Sequence, residues 1–178
     1  MNVAPPQSPP VRVERLSKGF YLGSYIVAGV LAWVLGVVGV VTGLWAISLF
    51  VLVPSIYLIV VNCVFWFKAW ASIQDGHART KPCPAVGFLF IPFFNFYWIF
   101  QAIWGFAKDY NSYIARHAVS APTRNESVFL ALCVMAIVSA VLGWVPVLGF
   151  ILGVVTIVLM IMVINAVCDG VNSLPQAG

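Results

Sequence analysis

Asp75, His77 and Cys83 stand together in a polar loop, residues 75–85 (DGHARTKPCPA), where side chains able to hold a metal gather. A structural zinc site takes four thiolate or imidazole ligands at fixed spacings. This loop offers a poor spacing, and its histidine reads as a solvated group. The second histidine, His117, is isolated between Arg116 and Ala118. Catalysis inside a membrane requires titratable or nucleophilic groups that converge. The long apolar runs contain no Asp, Glu, Lys, Arg or His, which excludes an aspartyl or metal-dependent intramembrane protease on inventory. Ser24, Ser48, Ser55 and Ser139 have no base near them in sequence. Hydroxyls in spans bond backbone carbonyls or let helices approach closely. The sequence therefore predicts no catalytic residue, no metal and no cofactor, and a protein that is not an enzyme.

The polar groups left in the apolar zone are four amides, Asn62, Asn95, Gln101 and Asn165. Asn62 and Asn165 are expected to bond between helices, a contact worth about 0.6–2 kcal/mol. Asn95 and Gln101 belong to a stretch of a different kind. Residues 86–113, VGFLFIPFFNFYWIFQAIWGFAKDYNSY, hold 12 of the 26 aromatic side chains. Pro92 removes a backbone donor in mid-segment and clashes with a preceding helical turn. From Asn95 onward, Asn95, Trp98, Gln101, Gly105, Lys108 and Asn111 recur every three or four residues, which is one face of a helix. The expected form is a broken element: a short arm over 86–91, a break at Pro92, and an amphipathic helix to about Tyr113. Its candidate lipid- or partner-binding residues are Pro92, Asn95, Trp98, Gln101, Trp104, Lys108 and Asn111.

These residues must be carried by membrane-spanning helices. The chain has 178 residues, 62% hydrophobic and only 8% charged. A soluble domain is about a quarter charged, so a soluble fold would expose large apolar patches. The charges cluster before, between and after the apolar runs. The net charge of +4 marks a basic membrane-facing side, and no basic stripe with interleaved aromatics points to nucleic acid. Residues 20–67 form an uncharged run of 48 residues, too long for a signal peptide's apolar core or for one span. It is read as an uncleaved anchor that folds back near Gly36, Gly39 and Gly43, with helices over about 20–38 and from about Trp45. Pro54 is expected to kink the second. Trp66 and Trp70 around Lys68 look like an interfacial anchor, and the helix is expected to run on to Gln74, with Asp75-Gly76 as its stop. Residues 127–167 form a second uncharged run, broken at Gly143-Trp-Val-Pro146 into helices over about 127–143 and 147–168. Thr123 to Glu126 has the spacing of a capping box, and Asp169-Gly170 reads as a stop. Val60-Val-Asn-Cys-Val64 and Val163-Ile-Asn-Ala-Val167 are alike, weak evidence for a duplicated hairpin. Gly39/Gly43 and Gly149/Gly153 match the small-residue packing motif. The proline-rich start, residues 1–11, is a solvated tail. Cys63, Cys83, Cys133 and Cys168 suggest no disulfide framework.

Positive charge decides the number of spans. If the aromatic stretch spans, the lysines and arginines divide six inside and three outside. If it returns or lies in the interface, all nine share one side and the hairpin turns carry none. The second arrangement fits better. The expected fold is all-α, with two transmembrane hairpins (four spans) and a Pro-broken aromatic re-entrant or interfacial helix. The expected divisions are a tail over 1–18, hairpin 1 over 19–74, a loop over 75–124 with the aromatic element at 86–113, hairpin 2 over 125–170, and a tail over 171–178.

Ala71-Ser-Ile-Gln-Asp-Gly76, Ile91-Pro-Phe-Phe-Asn-Phe-Tyr-Trp-Ile-Phe100, Trp104-Gly-Phe-Ala-Lys-Asp-Tyr-Asn111 and Cys168-Asp-Gly-Val-Asn172 carry a resemblance. Over roughly residues 55–172 the chain resembles the membrane region of uncharacterised bacterial proteins, some of which carry an N-terminal GYF-like domain of unknown function. The resemblance implies a protein of a bacterial inner membrane and transfers no catalytic residue; the charge count is what leads to the expectation that both termini are cytoplasmic. The expected function is a non-enzymatic scaffold or accessory subunit that binds lipid or a membrane partner through the aromatic element. The alternative is an oligomeric channel or carrier for a small or lipidic molecule, with Asn95 and Gln101 facing its path. Expected partners are membrane lipids, another membrane protein or a second copy, and no nucleic acid.

Overall fold

In a computed structural model the described residues are 15–43, 46 and 49–174. The proline-rich tail, Ser48 and the expected helix start at Trp45 lie outside them. Among the described residues every regular element is helical. Helix α1 spans Lys18–Thr42. The Ser17 hydroxyl caps it by accepting from the Phe20 N–H at 3.4 Å. Gly43 ends it in the left-handed region at φ 67, so the reversal uses the last of the three expected glycines. Helix α2 spans Leu52–Ala71. Pro54 is its third residue, where a backbone N–H would lack an intrahelical partner anyway, so the expected kink has no cause. α2 also stops three residues short of Gln74. The Gln74 side chain instead donates to the carbonyls of Trp70 (2.9 Å) and Thr80 (3.1 Å), tying the loop to the helix end.

The aromatic region contains α3 (Pro82–Gly87), a 3-10 turn (Phe88–Phe90), α4 (Phe94–Ile99), a π-turn (Phe100–Trp104) and α5 (Gly105–Arg116). Hairpin 2 is α6 (Glu126–Leu142) and α7 (Pro146–Asn172). The cap of α6 is Asn125, whose Oδ1 accepts from the Ser127 N–H at 3.0 Å; the expected threonine cap is displaced by two residues. Glu126 instead accepts from the Asn111 amide at 3.3 Å. α7 runs through Asp169-Gly170 rather than stopping there. The Tyr110 hydroxyl donates to the Gly170 carbonyl at 3.1 Å, and a Cβ on Gly170 would lie 3.0 Å from the tyrosine ring. The glycine serves close packing inside the helix.

Among the described residues three helices are long and apolar enough to cross a membrane, over Lys18–Gly39, Leu52–Ala71 and Val147–Asn172. α6 is apolar and 17 residues long. α1 lies antiparallel to α2, with Ser24 and Tyr57 hydroxyls 2.8 Å apart and Tyr21 against Phe65. It is also antiparallel to α7, where Lys18 meets Asp169 at 3.0 Å at one end and Trp33 meets Phe150 at the other. Leu16 and Asn172 exchange two hydrogen bonds, of 2.8 and 2.9 Å. Arg116 reaches Asp75 and Arg79 reaches Asp109. One end of the bundle thus gathers the charges, and the other carries the hairpin turns.

The core sits toward the charged end. Trp66, Trp70, Phe106, Tyr110 and Phe129 are all fully buried there. The expected interfacial anchors therefore face inward: Trp66 and Trp70, four residues apart, share the buried face of α2. The Trp70 indole N–H finds its partner in the Ala102 carbonyl at 2.9 Å, which satisfies the polar handle that would otherwise favour water. Phe106→Ala should lower the stability of the detergent-solubilised protein by about 3–5 kcal/mol, read from thermal unfolding. A lipid-facing aromatic would lose far less.

Candidate functional site

The aromatic region folds back on itself. Ile91 is extended (ψ 115), as the residue before a proline must be. The Phe94 N–H then bonds the Pro92 carbonyl at 2.7 Å, closing a three-residue turn around Phe93, which sits at φ 63, ψ −44. A turn of this hand is rare and strained for a residue with a side chain. The two arms are fastened by Trp98. Its indole N–H donates to the Ala85 carbonyl at 3.1 Å, its ring stacks on Phe94 at 5.5 Å, and it takes the edge of Phe88 at 4.8 Å. The turn and its flanks expose Phe88, Phe90, Ile91, Phe93, Phe94, Phe96 and Tyr97, with Phe93 86% exposed.

The second half of the element is buried. Ala102, Ile103, Phe106, Ala107 and Tyr110 are inside, and Cys133 on α6 points its thiol at the Ile99 carbonyl at 3.5 Å. Two carboxylates fasten loop 75–81 to α5. Asp109 accepts from the Arg79 backbone N–H at 2.8 Å and from its guanidinium at 2.8 and 2.9 Å. That guanidinium runs over Gly105, where a Cβ would lie 3.2 Å away, and reaches Gln101 Oε1 at 3.4 Å. Gln101 passes the chain of bonds on to the Tyr97 hydroxyl at 3.0 Å. Asp75 Oδ1 accepts from the His77 N–H (2.9 Å), and Oδ2 accepts from Arg116 (2.8 Å) and lies 3.2 Å from His117 Nε2.

The expected single binding face divides into three. Pro92 and Asn95 lie at the exposed tip. Gln101, Trp104 and Lys108 form a half-buried flank, with the Lys108 ammonium 3.4 Å from the Trp104 ring centre, a cation–π contact. Trp98 and Asn111 are internal fasteners. Asn111 exchanges bonds of 2.7 and 3.0 Å with the Arg124 backbone, closing the segment before α6. Gln101 bonds Arg79 and Tyr97, and Asn95 is exposed at the tip. Asn62 does not make the expected interhelical bond through its oxygen: Oδ1 is buried without a partner among the described residues. Asn165 is half-buried on α7. The residues missed by sequence reasoning are Phe90, Phe93 and Phe96, whose exposure follows from the break at Pro92 beside them.

Among the described residues no three His, Cys, Asp or Glu side chains are grouped to hold a metal, and the four cysteines are free. No protein-family model matches the chain, and no curated protein or solved structure matches it.

Burial pushes the Asp75 carboxyl up, but the bonds from His77, Arg116 and His117 and the Arg116 charge outweigh it and hold the pKa at about 2, below the ordinary 3.8. A carboxyl depressed in the folded state stabilises above its unfolded pKa and loses that contribution as pH falls through the folded value. Hydrogen exchange should show loop 75–81 protected at pH 7 and opening between about pH 4 and pH 2. Asp75→Asn should leave it open already at pH 7, with the difference from wild type gone below about pH 2. At the strained turn, Phe93→Gly should give a thermally more stable protein than Phe93→Ala, by about 1 kcal/mol. The reverse order would show that the turn is unstrained.

Proposed function

We propose that this chain is a small multi-pass protein of a bacterial inner membrane and acts as a non-enzymatic scaffold or accessory subunit. Its aromatic hairpin binds lipid or the apolar surface of a membrane partner. In this reading α1, α2, α6 and α7 are four spans. α6 is the shortest, at about 25 Å against a hydrocarbon core of about 30 Å. The hairpin from α3 to α5 is re-entrant, the charged end faces the cytoplasm, and both termini lie there. The likeness of its IPFFNFYWIF segment to uncharacterised bacterial membrane proteins belongs to the same proposal.

The observation that carries the reading is the exposed tip. Seven neighbouring apolar side chains stand out around a strained turn, while the same element's other half is held rigidly inside. Apolar side chains along the spans also face outward, but those of the tip crowd around a single strained turn at the end of an element whose other half is packed inside. Strain concentrates where a side chain is presented for a purpose.

Replacing Phe90, Phe93 and Phe96 together by serine should cut co-purifying partner or retained lipid at least tenfold, with insertion and helix content unchanged. Unaltered retention would remove the proposal. Its topology is checked separately by membrane-impermeant thiol labelling of exposed Cys83 and, in a Cys83→Ser background, of Ser120→Cys. Both should react from the cytoplasmic side; reaction of Cys83 alone would make the aromatic element a fifth span.

A further inference from the structure

Positive charge is left over on one flank of the aromatic hairpin. Asp109 is engaged by Arg79, Asp75 by Arg116, Asp169 by Lys18 and Glu126 by the Asn111 amide. Every carboxylate side chain among the described residues therefore has a partner. Lys81 and Lys108 ion-pair with none of them. Lys81 is exposed just before α3, and the Lys108 ammonium rests on the Trp104 ring at 3.4 Å.

The Arg79–Asp109 pair brings the two lysines to the same flank. Lys81 is two residues on from Arg79, and Lys108 is the residue before Asp109; consecutive Cα atoms are about 3.8 Å apart. The Arg79 guanidinium is fixed by Asp109, by Gln101 at 3.4 Å and by its close seat over Gly105, yet its side chain remains 37% exposed. Three cations thus gather around one carboxylate. Arg124 is different, since its guanidinium is spent on the Pro122 and Ala166 carbonyls.

The anion that fits this flank carries a long apolar body. An ammonium lying on an indole keeps its charge toward water above an apolar ring, the pairing suited to headgroup level. From Lys108 back to Tyr97 the helix rises about 17 Å, close to one leaflet of a hydrocarbon core of about 30 Å. At that lower end Phe94, Phe96 and Tyr97 are exposed. A phospholipid has the same layout, a phosphate at one end and acyl chains a leaflet long. A free phosphate would leave the apolar part of the surface uncovered.

We propose that this flank selects an anionic phospholipid, with its phosphate among Arg79, Lys81 and Lys108 and its acyl chains along the hairpin toward the phenylalanine tip. The inference rests on the membrane placement proposed above and adds to it the class of lipid. A zwitterionic headgroup brings its own cation to the same place and gains less.

The full chain, purified in mild detergent with equal amounts of phosphatidylglycerol and phosphatidylcholine of the same acyl chains, is read by native mass spectrometry for the lipid it keeps. The wild type should keep phosphatidylglycerol about 25-fold over phosphatidylcholine, Lys81→Gln and Lys108→Gln should each cut that ratio about fivefold, and the double variant should bring it near one. Neither lysine makes an ion pair, so helix content and melting temperature should not move. Arg15→Gln removes another exposed cation at the same end of the bundle and should leave the ratio unchanged. A wild-type ratio near one overturns the proposal. So does a loss with Arg15→Gln as large as with either lysine, which would mean diffuse attraction only, and so does displacement of the lipid by millimolar inorganic phosphate, which would mean a site for soluble anions. A ratio near one while the Phe90, Phe93 and Phe96 serine variant still sheds its lipid would overturn the headgroup choice alone and leave the role of the tip standing.

Discussion

The Phe106 ring takes the edges of Trp66 and Trp70, at 5.8 and 5.6 Å, and lies beside Tyr110 and Phe129. Three elements, α2, α5 and α6, therefore meet on one side chain. Edge contacts between rings add about 0.5–1.5 kcal/mol each beyond the area they bury. Inside a membrane, apolar helices gain nothing from leaving water, because lipid tails are as apolar as they are; shape, close contact and hydrogen bonds must hold them. Interlocked rings supply the first two, and the Trp70 bond to Ala102 the third. Once α5 is docked, the remaining fasteners fall into reach. Asp109 meets Arg79, Arg116 meets Asp75, Asn111 closes on the segment before α6, and Tyr110 touches Gly170 of α7. Their individual contributions are modest, since an exposed ion pair such as Lys18–Asp169 is worth about 0–1 kcal/mol. They fix loops to a helix that the rings have already placed.

The π-turn separates the two roles of the aromatic helix. Each residue of an α-helix turns it by about 100°, and the wider π-turn accommodates one extra residue. Side chains after it are therefore rotated relative to an uninterrupted helix. Before the turn, Trp98 faces the first arm and the neighbouring rings stand exposed. After it, Phe106 and Tyr110 face the core while Gly105 and Asp109 face Arg79. One continuous helix can thus serve a local hairpin at one end and a bundle at the other.

What the sequence made legible follows from patterns that need no tertiary knowledge. Uncharged runs marked the two helix pairs, the Gly143 region the second reversal and Pro92 the break, whereas of Gly36, Gly39 and Gly43 only the last lies at the end of α1, which runs through the other two. The gathering of charges at one end followed from counting lysines and arginines. The failures share a cause. Trp66 and Trp70 beside Lys68 have the composition of an interfacial anchor, and only the arrival of Phe106 and Ala102 turns them inward. Asp169-Gly170 has the chemistry of a stop, yet Tyr110 needs that glycine inside a helix. The recurrence from Asn95 to Asn111 assumed one helical period and one neighbour, whereas a π-turn and two different neighbours divide it.

The aromatic residues sort by depth in a way that bears on what the tip touches. The helix from Phe94 to Asp109 rises about 22 Å. With the charged end at the membrane surface, as proposed, the tip lies well inside a hydrocarbon core of about 30 Å. Tryptophan and tyrosine suit the interface because they pair an apolar body with a polar handle. The tip is instead built from phenylalanines, Phe88, Phe90, Phe93, Phe94 and Phe96. The rings with handles begin one turn further back, and each handle is occupied, Tyr97 by Gln101 and Trp98 by Ala85. A surface meant to anchor at headgroups would have the opposite order. Phenylalanine at the tip and satisfied handles behind it favour, within the proposed function, acyl chains or the buried face of another membrane helix over headgroups as what the tip would meet.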